Sequence, residues 1–125
     1  MIDENNEEEK EICSEIENSE EEKSEIKYIK SEDIKEFIKT GSKIIFLYMP
    51  NSSPSQFQEE RLIQGFESFD NKISIAMLDV LNSQEYPISM KIREFPTTMY
   101  FKDGNLILSE SGVQVDVNNA IMQII

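Results

Sequence analysis

Two serines stand where this chain could carry chemistry. Ser52 and Ser55 lie in a turn that follows the apolar run of residues 44–49 and precedes a helical pattern. A serine hydroxyl at such a turn becomes a nucleophile when a neighbouring base removes its proton. The sequence contains no histidine, and no lysine is close to the turn along the chain. We therefore do not expect acyl transfer or hydrolysis at Ser52.

The residues of this turn are also typical of a helix start. A serine before the first helical residue accepts a hydrogen bond from an unpaired backbone N–H, and proline suits the first helical position. Pro54 fits that position, and Gln56 follows Ser53 by three residues, as in a capping box. The sequence therefore predicts a helix that begins at about Pro54.

The composition argues against a metal site or a bound cofactor. Without histidine, the chain lacks the commonest metal ligand and the usual proton shuttle at neutral pH. A single cysteine, Cys13, excludes a disulfide within the chain and does not favour export to an oxidising compartment. We expect no cofactor and no metal, and an exposed Cys13 thiol; a mixed disulfide through Cys13 is the alternative.

The net charge of −13 is concentrated at the N-terminus. Residues 1–25 carry a net charge of −10, and the remaining hundred residues carry −3. The sequence thus predicts an acidic, disordered arm over residues 1–24, or else a solvated helix, followed by one domain over residues 25–125. Because such an arm repels phosphate groups, we expect neither nucleic acid nor a membrane as a partner; docking to a basic partner is the alternative.

No segment of the sequence has the apolar length of a membrane span, and the N-terminus does not resemble a secretion signal. These features predict a monomeric, cytoplasmic protein.

Apolar spacing and turn residues predict the secondary structure of the domain. The predicted strands are residues 27–30, 43–49, 73–81, 97–101 and 106–109, the last two joined by an Asp-Gly hairpin. Helices are predicted from Ser31 to Gly41, over residues 54–69, within residues 84–92, and after Asp116. Two of these helices have apolar residues that we expect to face the core: Phe57, Leu62, Phe66 and Phe69 in one, and Val117, Ala120, Ile121, Ile124 and Ile125 in the other. The order β-α-β-α-β-α-β-β-α predicts α/β layers around one sheet.

Several motifs, in this order, resemble the thioredoxin family. The family's Trp-Cys-Gly-Pro-Cys turn corresponds to residues 51–55, and its cis-proline and threonine correspond to Pro96 and Thr97. Pro96 and Thr97 are followed by an apolar strand and a Phe-Lys-Asp-Gly sequence, as in the family, and Gly112 matches a glycine beside the family's substrate groove. The resemblance covers about residues 25–125. It implies a three-layer α/β/α thioredoxin fold, with a central mixed sheet flanked by helices and a cis-proline loop at Pro96.

The chain departs from this family at every redox position. Ser52 and Ser55 replace both cysteines, and the tryptophan and glycine of the motif are Asn51 and Ser53. The family's buried aspartate and its lysine partner correspond to Phe46 and Met77. An apolar pair avoids the desolvation cost of buried charges, so its presence fits a loss of proton transfer.

The resemblance implies a protein without redox activity that binds a protein or an extended peptide as an adaptor. The groove implied for this peptide is formed by seven residues: Asn51, Ser52, Ser53, Pro54, Phe95, Pro96 and Gly112. Two alternatives are open: a relative with residual monothiol activity through Cys13, and an active thioredoxin whose cysteines were changed to serine. The additional loss of tryptophan, glycine and aspartate favours natural loss over an engineered change.

Overall fold

The computed structural model describes residues 25–69 and 72–125. The predicted arm over residues 1–24, with Cys13, lies outside the described residues. The strands are β1 (Ile26–Tyr28), β2 (Ser42–Tyr48), β3 (Ser74–Asp79), β4 (Thr97–Lys102) and β5 (Asn105–Ser111). The helices are α1 (Ile34–Phe37, preceded by a 3₁₀ turn, Ser31–Asp33), α2 (Ser53–Ser68), α3 (Glu85–Ser89) and α4 (Val117–Met122). The predicted order of strands and helices is confirmed.

The five strands form one mixed sheet in the order β1-β3-β2-β4-β5. β1, β3 and β2 are parallel, β4 runs antiparallel to β2, and β5 runs antiparallel to β4. The hairpin between β4 and β5 turns at Asp103 and Gly104, both of which have positive φ angles (49° and 87°). Two positive φ angles match the right-handed twist of the paired strands, so the Asp-Gly sequence closes this turn.

Side chains pack on both faces of the sheet. One cluster joins the sheet to α2 and α4 through Ile44, Phe46, Leu62, Ile75, Tyr100 and Ile121. The other joins the opposite face to α1 through Ile34, Phe37, Ile45, Leu47, Leu78 and Met99. Because β2 contributes to both clusters, its continuous apolar run is the signature of a central strand. The α/β class and its layers are as predicted.

The prediction that a residue faces the core is wrong at two positions. Phe57 is 59% exposed, and Ile125 is 46% exposed. In α2 the buried residues are Ser55, Gln58, Leu62 and Gly65, and the advance of 100° per residue places Phe57 about 140° around the helix from Leu62. α4 ends at Met122, so the helical spacing that buries Ile121 does not extend to Ile125. Phe66 and Phe69 are half-buried against the cluster that joins the sheet to α2 and α4.

Within the described ranges, no helix has the length and apolarity needed to cross a membrane.

Candidate functional site

The turn between β2 and α2 is organised by Ser52. Its backbone is extended (φ −99°, ψ 129°), and its Oγ accepts a hydrogen bond from the Ser55 N–H at 3.4 Å. The Ser52 carbonyl accepts from the Gln56 N–H at 3.0 Å, which begins the helical ladder. Asn51, just before, adopts the left-handed conformation (φ 63°), which asparagine tolerates better than most residues. The predicted role of a serine as helix cap is therefore confirmed at Ser52.

The details of the helix start differ from the prediction. α2 begins at Ser53, so Pro54 occupies the second helical position rather than the first. The residue three positions after the cap is Ser55, and Gln56 is therefore one residue too far along to complete the predicted capping box.

Ser55 is almost fully buried, at 3% exposure, and its hydroxyl belongs to the turn itself. Its Oγ accepts a hydrogen bond from the Met49 N–H at 3.1 Å. Both serine hydroxyls of the motif thus accept backbone N–H groups, as structural residues do. Thiol-disulfide exchange requires a thiolate, and these two positions offer hydroxyls in its place.

Removing the cap should lower stability by a moderate amount. We expect Ser52→Ala to reduce the free energy of unfolding by about 1 kcal/mol, because the Ser55 N–H at the helix start loses its acceptor. Ser52→Gly should reduce the free energy of unfolding by only about 0.3 kcal/mol, since glycine leaves the end of the helix open to water. Urea denaturation of the three proteins measures the difference; equal losses for alanine and glycine would contradict the capping role.

The loop before β4 meets the loop after β5. Phe95 and Pro96 are joined by a cis peptide bond, and the Pro96 carbonyl accepts a hydrogen bond from the Gly112 N–H at 2.7 Å. Thr97 Oγ1 donates to the Glu94 carbonyl at 2.6 Å, which closes the loop around Phe95. Gly112 has a φ of 83°, a conformation that side chains rarely adopt.

The sheet register brings the serine turn to this same edge. Leu47, near the end of β2, pairs with Thr97 at the start of β4. The turn after β2 and the Pro96 loop before β4 therefore lie at the same end of neighbouring strands. The residues predicted to line a groove lie in this turn, at the start of α2, in the Pro96 loop and at Gly112, which is hydrogen-bonded to Pro96.

Phe95 leaves its backbone polar groups unused. Among the described residues, neither the N–H nor the carbonyl of Phe95 takes part in a hydrogen bond. The side chain of Phe95 is half-buried against the cluster on the α1 face of the sheet. A backbone donor and acceptor held in this way at a strand end can pair with another extended chain.

An apolar pair lies below the turn. Phe46 and Met77 are direct partners in the parallel register of β2 and β3, and they are 0% and 4% exposed. On the other side of Phe46, the register partner is Thr98. The direct register partners of Phe46 in the described sheet therefore carry no carboxylate or ammonium group.

Sequence reasoning missed a buried amide network beside this pair. Gln58 Nε2 donates to Gln114 Oε1 at 2.8 Å and to Thr98 Oγ1 at 3.2 Å, and Gln58 Oε1 accepts from the Gln114 N–H at 2.8 Å. The Tyr100 hydroxyl donates to Gln114 Oε1 at 2.9 Å, and burial raises the pKa of this phenol. The signal available was Gln58 itself, which lies one helical turn before Leu62 on the inward side.

Known structures with the same architecture were found by comparison. Neither the protein-family models nor the curated proteins compared with the sequence match it. A structure of chloroplastic thioredoxin z is 17% identical, with a TM-score of 0.72, and the match covers 80% of this chain and 94% of that one. A Schistosoma mansoni thioredoxin structure is 20% identical, with a TM-score of 0.69, and covers 82% and 100%.

A third similar chain comes from a structural study of thiol resolution in yeast mitochondrial 1-Cys peroxiredoxin via glutathione/thioredoxin systems. It is 20% identical, with a TM-score of 0.71, and the match covers 78% of this chain and 94% of that one. Likeness at this level of identity establishes architecture rather than activity. The chain has the thioredoxin fold.

Proposed function

We propose that this protein is a thioredoxin-family relative without redox activity, which binds an extended segment of a partner protein in the groove beside Pro96. The observation that carries the proposal is that the backbone N–H and carbonyl of Phe95 form no hydrogen bond with any residue of ranges 25–69 and 72–125. A partner segment that pairs with both groups would lie along the groove as an added strand. We extend the proposal to a monomeric, cytoplasmic protein, because a single cysteine does not suit an oxidising compartment.

The neighbouring loops support this mode of binding. Ser52 and Ser55 hold the turn through their own hydrogen bonds, and the Gly112 N–H is already paired with the Pro96 carbonyl. The walls of the groove are thus fixed before a ligand arrives, which reduces the ordering cost of binding. The pairing groups of Phe95 remain for the partner.

The absence of redox activity gives a direct prediction. With dithiothreitol as electron donor, the full chain should not accelerate insulin reduction above the rate with dithiothreitol alone, because Ser52 and Ser55 cannot form a thiolate. A Cys13→Ser variant should give the same rate. Acceleration by the full chain that persists in Cys13→Ser would contradict the proposal, and acceleration lost in that variant would identify residual monothiol chemistry.

Peptide selection tests the groove. Peptides selected from an unstructured library on the full chain should bind Phe95→Ala about tenfold more weakly, because an anchoring aromatic contact at the groove is lost. Leu106→Ala, which removes an exposed apolar side chain at the hairpin end of β5, should leave their affinity unchanged. In the complex, hydrogen exchange of the Phe95 N–H should slow, since the peptide accepts from it.

Two results would contradict this groove. One is a set of selected peptides whose affinity falls equally in Phe95→Ala and Leu106→Ala. The other is bound peptide with no change in exchange at Phe95. A chain lacking residues 1–24, tested with the same peptides, shows separately whether the acidic arm contributes to binding.

A further inference from the structure

A cavity lies at the carboxyl ends of the parallel strands. It has a volume of about 400 Å³, and its walls include Tyr28, Tyr48, Asp33 and Asp79. Tyr28 is the last residue of β1, Tyr48 the last of β2, and Asp79 the last of β3. Crevices beyond the carboxyl ends of parallel strands are a common place for ligands in α/β proteins.

The two tyrosine rings form two walls of this cavity. Their centroids are 6.4 Å apart and their planes meet at 66°. Tyr28 pairs with Met77, which in turn pairs with Phe46 two residues before Tyr48, so both rings lie on one face of the sheet. Tyr48 stacks on Phe46 (5.8 Å, 19°), which holds its ring, whereas Tyr28 is 69% exposed. The exposed ring of Tyr28 is therefore accessible to a ligand.

Two carboxylates are fixed beside the rings. Asp79 Oδ1 accepts from the Leu81 N–H at 2.9 Å, and its Oδ2 accepts from Asn82 Nδ2 at 2.9 Å. Asp33 Oδ2 accepts from the Lys30 N–H at 3.1 Å. Neither carboxylate forms an ion pair with a described residue; the ion pair found nearby joins Lys27 to Glu25.

The charge of this cavity favours a cation. Its walls carry two carboxylates against one ammonium group, that of Lys30. Burial raises the pKa of Tyr48, and the negative charges of Asp79 and Glu59 raise it further. A cation over a tyrosine ring is attracted by the ring quadrupole, and a nearby carboxylate adds to that attraction.

We propose that the cavity lined by Tyr28, Tyr48, Asp33 and Asp79 binds a lysine or arginine side chain of the partner protein. Tyr48 lies four residues before Ser52, at the same end of β2 as the serine turn. A partner segment in the groove could therefore place a basic residue in the cavity. The choice of this partner segment rests on the proposed function, but recognition of the cation depends on the cavity residues alone.

Amino-acid amides test the cavity without using the groove. The full chain is titrated with N-acetyl-lysine methylamide and N-acetyl-arginine methylamide, and with the neutral N-acetyl-norleucine methylamide, while amide resonances are followed by NMR. The cationic probes should shift Tyr28, Asp79 and Asn82 saturably and bind at least about threefold more tightly than the neutral probe. Resonances of Phe95 and Gly112 should not move, so failure here and failure of the groove are distinguishable.

Matched variants assign the effect to the cavity. Tyr28→Leu and Asp79→Asn should each weaken the cationic probes about threefold, whereas Tyr28→Phe, which keeps the ring, should not. Glu110→Gln removes one negative charge from β5, at the opposite edge of the sheet, and should leave the dissociation constants unchanged. Equal binding of the neutral probe, equal effects of Glu110→Gln and Asp79→Asn, or no shift at Tyr28 would each overturn the proposal.

Discussion

Phe46→Asp, which places an acid where the resemblance to thioredoxins implies one, should lower the free energy of unfolding at pH 7 by about 4 kcal/mol or more. Phe46 is fully buried, and its neighbours in the sheet row are Met77 and Thr98. The substitution removes the packing of a large ring and leaves a charge without a partner. Since the free energy of unfolding of a small domain is about 5–15 kcal/mol, this variant should be close to unfolding.

The loss should depend on pH. Burial raises the folded-state pKa of the new carboxyl above its unfolded value of about 3.9. Well below pH ~3.9 the carboxyl is neutral in both states, so the charge adds no penalty there. The penalty grows as pH rises from that value to the folded pKa and is constant above it. Urea denaturation at several pH values from about 4, near the unfolded pKa, to about 8 measures this trend.

Two variants separate the charge from the lost ring. Asparagine has the size of aspartate without its charge. The difference in free energy of unfolding between Phe46→Asp and Phe46→Asn should therefore increase with pH. Adding Met77→Lys to Phe46→Asp places an ammonium group next to the carboxylate and should recover about 1 kcal/mol or more relative to additive losses. A difference between Phe46→Asp and Phe46→Asn that does not change with pH would show that position 46 tolerates the charge. Additive losses in the double variant would show that the new ammonium group does not stabilise the carboxylate.

The sheet could be predicted from sequence because its signals are local. The run of residues 44–49 is apolar at consecutive positions, as a strand buried on both faces requires, and Asp103 with Gly104 specifies a tight hairpin. The cap at Ser52 follows from residue type alone. Pro96 and Gly112 lie in loops distant along the chain; only the resemblance to a family placed both at one groove, and their hydrogen bond was not predicted.

The inward face of α2 could not be predicted from hydrophobicity. Its buried positions include Ser55, Gln58 and Gly65, which an apolar pattern does not select, whereas Phe57 is apolar but lies off the helical stripe of Leu62 and is exposed. Gly65 leaves room for α4: a Cβ atom there would lie 2.8 Å from Ile121 Cδ1, so that side chain would have to shift. Glutamine in a helix usually faces solvent, and the partner that keeps Gln58 inside lies 56 residues further along the chain.

Gln58→Leu should lower the free energy of unfolding by about 3 kcal/mol, although leucine is similar in size and more apolar. The reason is that the buried Gln114 N–H loses its acceptor, Gln58 Oε1, while Thr98 Oγ1 and Gln114 Oε1 lose a donor. Tyr100→Phe is the matched control: it removes one donor from Gln114 Oε1, which keeps its bond to Gln58, and should cost about 1 kcal/mol.

The same substitution connects the core to the groove. Gln114 lies two residues after Gly112, whose N–H holds the Pro96 carbonyl. Without Gln58, the segment after β5 loses its buried hydrogen bonds to α2, so hydrogen exchange should accelerate at Gln114 and Gly112 by more than the global loss of stability explains. In Tyr100→Phe, exchange at these two positions should follow the global change. Equal costs for the two variants, or uniform acceleration in Gln58→Leu, would mean that the amide network fills the core without positioning the groove.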